Sequence, residues 1–199
     1  MVFFAAETQA DESKKILILG DSLSAAHNLK IQDGWPHLLQ QKYAQSGKNN
    51  IIINASISGE TTFGGKSRLA KLLKQHQPQI LIIELGGNDG LRGLNFKASQ
   101  NNLSAMVEMG LQKNINILLL GVRLPPNLGV IYNQHFQSMY QSVQQQYQIN
   151  YLPRFLEGIA ENKQLMQSDG IHPTKAAQPL LMDKVYQALI EVPLTQFAE

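Results

Sequence analysis

Short apolar runs recur along the chain and predict the strands of one parallel sheet. Each run consists of a few, mostly branched, residues between turn residues, which is typical of strands buried on both faces. The runs cover residues 16–19, 51–53, 80–83, 117–120 and, more weakly, 149–152. We therefore expect five strands.

Longer segments with helical spacing separate these runs. They cover residues 35–45, 68–76, 103–112, 130–147 and about 178–190. Pro179 suits the first turn of the last helix, where a missing N–H costs no helical hydrogen bond. Because strands that alternate with helices form parallel sheets through right-handed crossovers, the pattern predicts an α/β fold with helices on both faces of the sheet.

Composition narrows the class of protein. The length of 199 residues favours a single domain over residues 15–199, preceded by a tail at residues 1–14. The net charge of +2 comes from scattered residues and lacks the basic patch of nucleic-acid binding. No apolar stretch approaches the roughly 18 residues of a membrane span, so we expect no stable membrane insertion. The chain has no cysteine, which excludes disulfides and thiolate chemistry.

The first residues admit two interpretations. Residues 1–6 form an apolar run that is too short for the core of a signal peptide and that no basic residue precedes. Residues 8–10 nevertheless show the small-x-small pattern found before a cleavage point. The tail is therefore either the remnant of a longer leader or a frayed terminus.

Polar clusters follow the predicted strands. They lie at residues 20–24, 54–59, 86–89, 123–127 and 169–173. Open α/β sheets bind ligands outside the carboxyl ends of their strands, so we expect these clusters to share one rim.

Ser22 and the pair Asp169-x-x-His172 are the candidate catalytic residues of this rim. A lone serine after a strand is more often a turn or cap residue, and a lone His-Pro is more often structural. Together they supply what acyl transfer needs, because Asp169 can accept from His172 Nδ1–H while Nε2 faces the Ser22 hydroxyl. The combination favours a serine hydrolase.

Asn88 and Gly59 are the candidate oxyanion donors, the first through its side-chain amide and the second through its backbone N–H. The Gly-Gly-Asn-Asp segment that contains Asn88 is also an ordinary turn sequence. We assign Asp21 and Asp89 to structural hydrogen bonds near the site. Glu84 interrupts an apolar run, and we interpret it as a carboxylate paired at the end of a strand.

Metal and phosphate sites are the rival interpretations of the rim. The carboxylates are spread one per loop without a metal-binding spacing, which disfavours a metal, and Gly20 alone does not make a phosphate loop. We therefore predict no cofactor. His27 is the one further histidine near the rim and a weaker candidate for substrate contact. The remaining three fall in helical patterns and are expected on helix faces: His37, His76 and His135.

Four blocks in order resemble the SGNH or GDSL hydrolases. They are Gly20-Asp21-Ser22-Leu23-Ser24, Gly59 after Asn54-Ala55-Ser56, Gly86-x-Asn88-Asp89 and Asp169-x-x-His172. The resemblance extends over residues 15–190, and within the family the chain resembles the thioesterase, lysophospholipase and arylesterase members. It implies a three-layer α/β/α flavodoxin-like fold, an oxyanion hole of Ser22 N–H, Gly59 and Asn88, and the triad Ser22, Asp169 and His172.

The same resemblance implies hydrolysis of small-molecule carboxylic esters and thioesters in a groove for acyl chains, and a periplasmic or secreted location. Loops 88–94 and 123–130 are expected to shape that groove. The substrate-binding candidates are Leu23, Leu91, Arg123, Leu124 and Pro125. Ala26-His27 departs from the Gly-Tyr common in such relatives. The alternatives are a carbohydrate deacetylase with the same triad and a non-catalytic binding module on this fold.

Overall fold

The computed structural model describes residues 13–190, and it contains the five predicted strands in one sheet. The strands are β1 (Lys15–Gly20), β2 (Ile51–Asn54), β3 (Ile80–Glu84), β4 (Asn116–Leu120) and β5 (Asn150–Leu152). All neighbouring pairs are parallel, in the order β2-β1-β3-β4-β5. The predicted α/β class is confirmed.

Burial on both faces explains why the sequences of the central strands are unbroken apolar runs. Residues 16–19 of β1 and 81–83 of β3 are fully buried, because helices cover both faces of the sheet there. At the edge, β2 leaves Ile51 46% exposed. The core is therefore centred on β1, β3 and β4.

Six helices form the outer layers within the described residues. They are α1 (Trp35–Gln45), α2 (Thr62–His76), α3 (Gly87–Leu91), α4 (Phe96–Leu111), α5 (Val130–Tyr147) and α6 (Gln178–Ile190). Helix α1 packs against α6, whereas α4 packs against both α2 and α5. The chain moves in opposite directions from β1 to β2 and from β2 to β3, so right-handed crossovers place these two groups on opposite faces. The three-layer architecture is confirmed.

Helices α2 and α4 begin six and seven residues before their predicted starts. The first turns of α2 contain Gly64 and Gly65, which weaken the helical signal. A side chain at Gly65 would collide with Leu85 at the end of β3, so the glycine permits close packing. The start of α4 is polar, and Asn95 caps it by accepting a hydrogen bond from Ala98 N at 2.9 Å. The short helix α3 was not predicted.

The sheet register brings the ends of two strands together. Gly20 at the end of β1 pairs with Glu84 at the end of β3. The strand order reverses between β1 and β3, since β2 lies on one side of β1 and all later strands on the other. The crevice at such a reversal is the usual ligand site of open α/β sheets.

The predicted tail at residues 1–14 lies almost wholly outside the described residues. Lys14 is described, and its N–H donates to Asn50 Oδ1 at 3.0 Å, just before β1 begins. None of the helices between residues 13 and 190 has the length and hydropathy needed to cross a bilayer.

Candidate active site

Ser22 lies in a tight turn directly after β1. The Asp21 side chain accepts a hydrogen bond from Leu23 N at 3.0 Å, and the Asp21 carbonyl accepts one from Ala25 N at 2.9 Å. These bonds fold the chain back on itself and leave the Ser22 side chain half-buried at the rim. Gly20 is needed because a Cβ there would lie 2.8 Å from the Ser24 side chain.

A chain of two hydrogen bonds links Ser22, His172 and Asp169. His172 Nε2 lies 2.8 Å from Ser22 Oγ, and His172 Nδ1 lies 2.7 Å from Asp169 Oδ2. The network assigns the proton to Nδ1, which leaves Nε2 free to accept from the serine hydroxyl. The structure thus brings together all three predicted catalytic side chains in the geometry of a nucleophile, a base and a group that orients the base.

The loop from Asp169 to His172 is fixed by its own carboxylate. Asp169 Oδ1 accepts from Ile171 N at 2.9 Å and from His172 N at 3.0 Å, and Gly170 supplies the positive φ of 67° that the turn needs. Partial burial raises the pKa of Asp169, but the hydrogen bonds from His172 and Ile171 outweigh this and lower it to about 2. Asp169 is therefore ionised at neutral pH.

Asn88 lies in the first turn of α3, beside Ser22. Its Nδ2 donates to Asp21 Oδ2 at 3.0 Å, which uses one amide proton and leaves the second available for a substrate oxygen. Gly86 precedes α3 at φ 118°, and a side chain there would collide with the Tyr140 hydroxyl. The hydrogen bond to Asp21 and the close approach of Gly86 to Tyr140 therefore set the direction of the Asn88 amide together.

Gly59 lies on the loop after β2, at a φ of 80°. Its carbonyl accepts from Arg92 Nη2 at 2.9 Å, and the same nitrogen is 3.5 Å from Asn88 Oδ1. Within residues 13–190 the N–H groups of Gly59 and Ser22 donate no hydrogen bond. They remain free to bind an external acceptor, although Gly59 is not among the residues that line the groove described below.

Glu84 is fully buried under the Ser22 turn. Its Oε2 accepts from Ser24 Oγ at 2.9 Å and from Asp21 N at 3.3 Å, while Oε1 is buried without a partner. Burial, and then the charge of Asp21, raise the pKa of Glu84 well above its ordinary value. Glu84 lies at the end of β3 and is paired there by hydrogen bonds, as expected, and its surroundings favour the protonated form of the carboxyl group.

Asp21 and Asp89 have the structural roles that were expected. Burial raises the pKa of Asp21 to about 6, against the lowering effect of hydrogen bonds from Leu23 and Asn88. Asp89 accepts from Thr62 N at 2.9 Å and from Ser99 Oγ at 2.7 Å, which ties α3 to α2 and α4. Neither carboxyl group contacts Ser22 Oγ.

His27 contacts the candidate base. Its ring stacks on that of His172, with centroids 4.0 Å apart and planes inclined by 28°. His27 was the weaker candidate for substrate contact; it is not among the residues that line the groove, and a contact with substrate stays a prediction. The other three histidines lie on helices, as predicted: His37 on α1, His76 on α2 and His135 on α5.

His27, Asp169 and His172 also form the one group in the described range whose ligand atoms approach closely enough to suggest a metal, within 4.8 Å of one another. Two imidazoles bind one ion when their lone pairs converge on it, whereas stacked rings direct them side by side. Both His172 nitrogens are also engaged by Ser22 and Asp169. The geometry therefore favours proton transfer over metal binding at this site.

A groove of about 940 Å³ opens beside Ser22, Asn88 and His172. It is lined by all five predicted substrate-binding residues: Leu23, Leu91, Arg123, Leu124 and Pro125. Its lining also includes residues that sequence reasoning missed, namely the apolar Leu156 and Met166 and a set of polar residues on α5. The α5 residues Gln134, Gln137 and Gln141 follow the i, i+3, i+7 spacing of one helix face, a signal available in the sequence.

Comparisons with known proteins agree with this geometry. Residues 18–179 match the model of the GDSL-like lipase/acylhydrolase family. The chain is 43% identical to esterase TesA of Pseudomonas aeruginosa over 92% of its own length and 90% of that protein. It is 41% identical to thioesterase 1/protease 1/lysophospholipase L1 of Escherichia coli over 88% and 83% of the two chains.

A solved structure shows the same fold. The psychrotrophic esterase EstA from Pseudoalteromonas sp., inhibited by monoethylphosphonate, matches with a TM-score of 0.87 and 42% identity, over 90% of this chain and 98% of that one. The family model spans most of the chain, and the relatives align over most of their length. This protein therefore belongs to the GDSL-like lipase/acylhydrolase family.

Proposed function

We propose that Ser22 is the nucleophile with which this acylhydrolase cleaves carboxylic esters and thioesters, that His172 is its base, and that Asp169 orients the base. The observation that carries the proposal is the pair of hydrogen bonds from Ser22 Oγ to His172 and from His172 to Asp169, at 2.8 and 2.7 Å. Both are within the reach that proton transfer requires.

The reaction has two steps. Ser22 Oγ attacks the acyl carbon while its proton moves to His172 Nε2, and the bond to the leaving oxygen or sulfur then breaks as that proton passes to the leaving group. Water next attacks the acyl carbon while His172 takes its proton, and the bond between the acyl carbon and Ser22 Oγ then breaks as that proton returns to Oγ, which releases the carboxylic acid. Asp169 remains a carboxylate throughout and stabilises the imidazolium, in keeping with its low pKa.

The oxyanion of each step is assigned to three donors: the N–H groups of Ser22 and Gly59 and the second amide proton of Asn88. The two N–H groups have no acceptor within residues 13–190, and Asp21 fixes the amide at 3.0 Å. Donors already oriented toward the developing charge stabilise the transition state without reorganisation.

The groove supports an acyl chain or aryl group as the apolar part of the substrate. The lining that Ser22 shares with Leu23, Leu124 and Pro125 also includes the apolar residues Leu156 and Met166. The named activities of the relatives, an esterase and a thioesterase/lysophospholipase, fit such a site. A deacetylase needs space for an acyl group of only two carbons, whereas this groove has room for a longer one. We therefore expect medium-chain p-nitrophenyl esters and acyl-CoA to be cleaved faster than acetylated sugars.

We also propose that the protein acts after export, in the periplasm or outside the cell. The apolar residues 1–6 followed by Thr8-Gln9-Ala10 support this. Fractionation of cells that express the gene with its full native leader tests it. Activity confined to the cytoplasmic fraction would reject export.

Replacement of the nucleophile tests the function. Ser22→Ala removes one hydroxyl from a half-buried turn, so we expect a folded protein whose kcat for p-nitrophenyl esters falls by about 10⁶. Ser67→Ala, on the exposed face of α2, is the matched control and should keep full activity. A Ser22→Ala variant that kept more than about a thousandth of the wild-type kcat would reject Ser22 as nucleophile.

A further inference from the structure

The face of the His172 ring is covered by a second imidazole. His27 stacks on it at 4.0 Å with an inclination of 28°, which is a parallel arrangement at contact distance. The proposed reaction uses the ring edge of His172, since Nδ1 and Nε2 bond to Asp169 and Ser22. The stack therefore acts on the base without competing for its hydrogen bonds.

The backbone around His27 is held in an uncommon conformation. The residues on both sides, Ala26 and Asn28, have φ angles of 57°. Asparagine adopts this left-handed region readily, whereas alanine does so only where its surroundings enforce it. Ala26 is buried, and its carbonyl accepts from Leu29 N at 2.9 Å. The turn thus presents the His27 ring in a fixed direction.

Gln167 joins this turn to the loop that carries the base. Its Nε2 donates to His27 O and to Pro173 O, each at 3.0 Å, and its Oε1 accepts from Asn28 Nδ2 at 3.3 Å. Its backbone N–H donates to His172 O at 2.7 Å. One residue therefore fixes the positions of both imidazoles relative to each other.

We propose that His27 is a positioning residue for His172: its ring braces the base and stabilises the imidazolium formed in each step. A cation on His172 is attracted to the π-face of a stacked aromatic ring. The proposal rests on the assignment of His172 as base.

The charged groups around the stack favour a cation on His172. Asp169 faces both rings, with ligand atoms of the three residues within 4.8 Å of one another, and Asp21 acts on the charge of His172. Gln167, which packs against both loops, is uncharged. The stack therefore adds to surroundings that already stabilise the imidazolium.

Two substitutions test the stack. His27→Phe keeps an aromatic ring that does not titrate, and His27→Leu fills the space without a ring. With a soluble p-nitrophenyl ester near pH 8, we expect Phe to retain kcat within about twofold and Leu to lower it about three- to tenfold with KM unchanged. His135→Leu, on the exposed face of α5, is the matched control and should match wild type.

The difference in kcat between the two variants is the decisive readout. His27→Leu should lower kcat without raising KM, and the aromatic ring of His27→Phe should restore it, with folding followed by circular dichroism. Equal kcat for Leu and Phe in folded proteins would overturn the proposal. Ser22→Ala distinguishes failure of this proposal from failure of the proposed function. If Ser22→Ala is active, Ser22 is not the nucleophile. If it is inactive, the proposed function stands and the His27 variants test the stack alone.

Discussion

Two acidic groups flank the Ser22 turn, and their surroundings shift their pKa values in opposite directions. Asp169 has a side chain that is 37% exposed, accepts hydrogen bonds from His172 and Ile171, and has its pKa lowered to about 2. Glu84 is fully buried with one unpartnered oxygen, and burial raises its pKa well above the ordinary value. The site of Asp169 favours the carboxylate, and that of Glu84 favours the carboxylic acid.

The difference shows that environment, and not residue type, determines what an acidic side chain does here. Water and converging N–H donors keep the negative charge on Asp169, so it can stabilise a cation on His172. Glu84 is buried away from water and its Oε1 has no donor, so burial dominates its pKa, and its role is to accept hydrogen bonds from Ser24 and Asp21 beneath the turn. Asp21 in turn holds Asn88, which places the oxyanion donor at the end of this buried network.

The largest expected effect in this comparison comes from neutralising the exposed acid. Asp169→Asn keeps the size of the side chain but favours the wrong tautomer of His172, so we expect kcat to fall by about 10⁴. Stopped-flow or steady-state ester hydrolysis measures it. Asp183→Asn removes another exposed carboxylate, one that lies 4.0 Å from Lys42, and should change nothing. Full activity of Asp169→Asn would mean that another group orients the base.

The second-largest effect on activity is expected at Asn88, where the hydrogen-bond network that runs from Glu84 through Asp21 ends. Asn88→Ala removes a donor whose hydrogen bond strengthens as charge develops, so kcat should fall about 10²- to 10³-fold, about 2.7–4 kcal/mol, with KM little changed. Asn88→Asp should be at least as damaging, because a carboxylate repels the oxyanion. Kinetics with one soluble ester distinguish the roles. A raised KM with unchanged kcat would make Asn88 a ground-state contact.

The smallest effect on activity is expected from the buried acid itself. Glu84→Gln retains a side-chain oxygen that can accept from Ser24 and Asp21 and adds no charge, so we expect kcat within about threefold of wild type. Glu84→Ala leaves those buried donors without an acceptor and should destabilise the fold by about 1–3 kcal/mol. A large loss of kcat in a folded Glu84→Gln protein would show that Glu84 is needed as an anion.

The dependence of the free energy of unfolding on pH tests the same difference between Asp169 and Glu84. The pKa of Glu84 is raised above its ordinary value of 4.5, so the folded state holds a proton that the unfolded state releases as pH rises through 4.5. The free energy of unfolding contributed by this group is therefore greatest below pH 4.5 and is lost as pH rises toward the folded pKa. Urea unfolding of wild type and Glu84→Gln should show their difference changing in that direction. A difference independent of pH would contradict protonation of Glu84.

Much of the fold could be predicted from sequence because its signals are local. Unbroken apolar runs marked the five strands, and regular spacing placed α1, α5 and α6 at the residues where the structure has them. The turn residues Gly20, Gly59 and Gly170 and the short Asp169-x-x-His172 spacing also lie within a few residues of the features they form. The starts of α2 and α4 were missed because glycines and polar residues hide a helical turn that tertiary contacts stabilise.

The remaining features depend on contacts between distant segments. The raised pKa of Glu84 follows from complete burial and from Asp21, which is 63 residues away in the chain. The stack of His27 on His172 requires the two loops that Gln167 joins across 140 residues. No local pattern encodes either contact, whereas the glutamines of α5 that line the groove do follow a regular spacing in the sequence.

The central claim, that Ser22 is the nucleophile held between these two acids, is tested most directly by covalent labelling with a fluorophosphonate and mass spectrometry of the intact and digested protein. We predict one adduct per chain, on the peptide that contains Ser22, formed at the wild-type rate in Glu84→Gln, much more slowly in Asp169→Asn and not at all in Ser22→Ala. An adduct on another residue, or equal labelling of Ser22→Ala, would contradict the account.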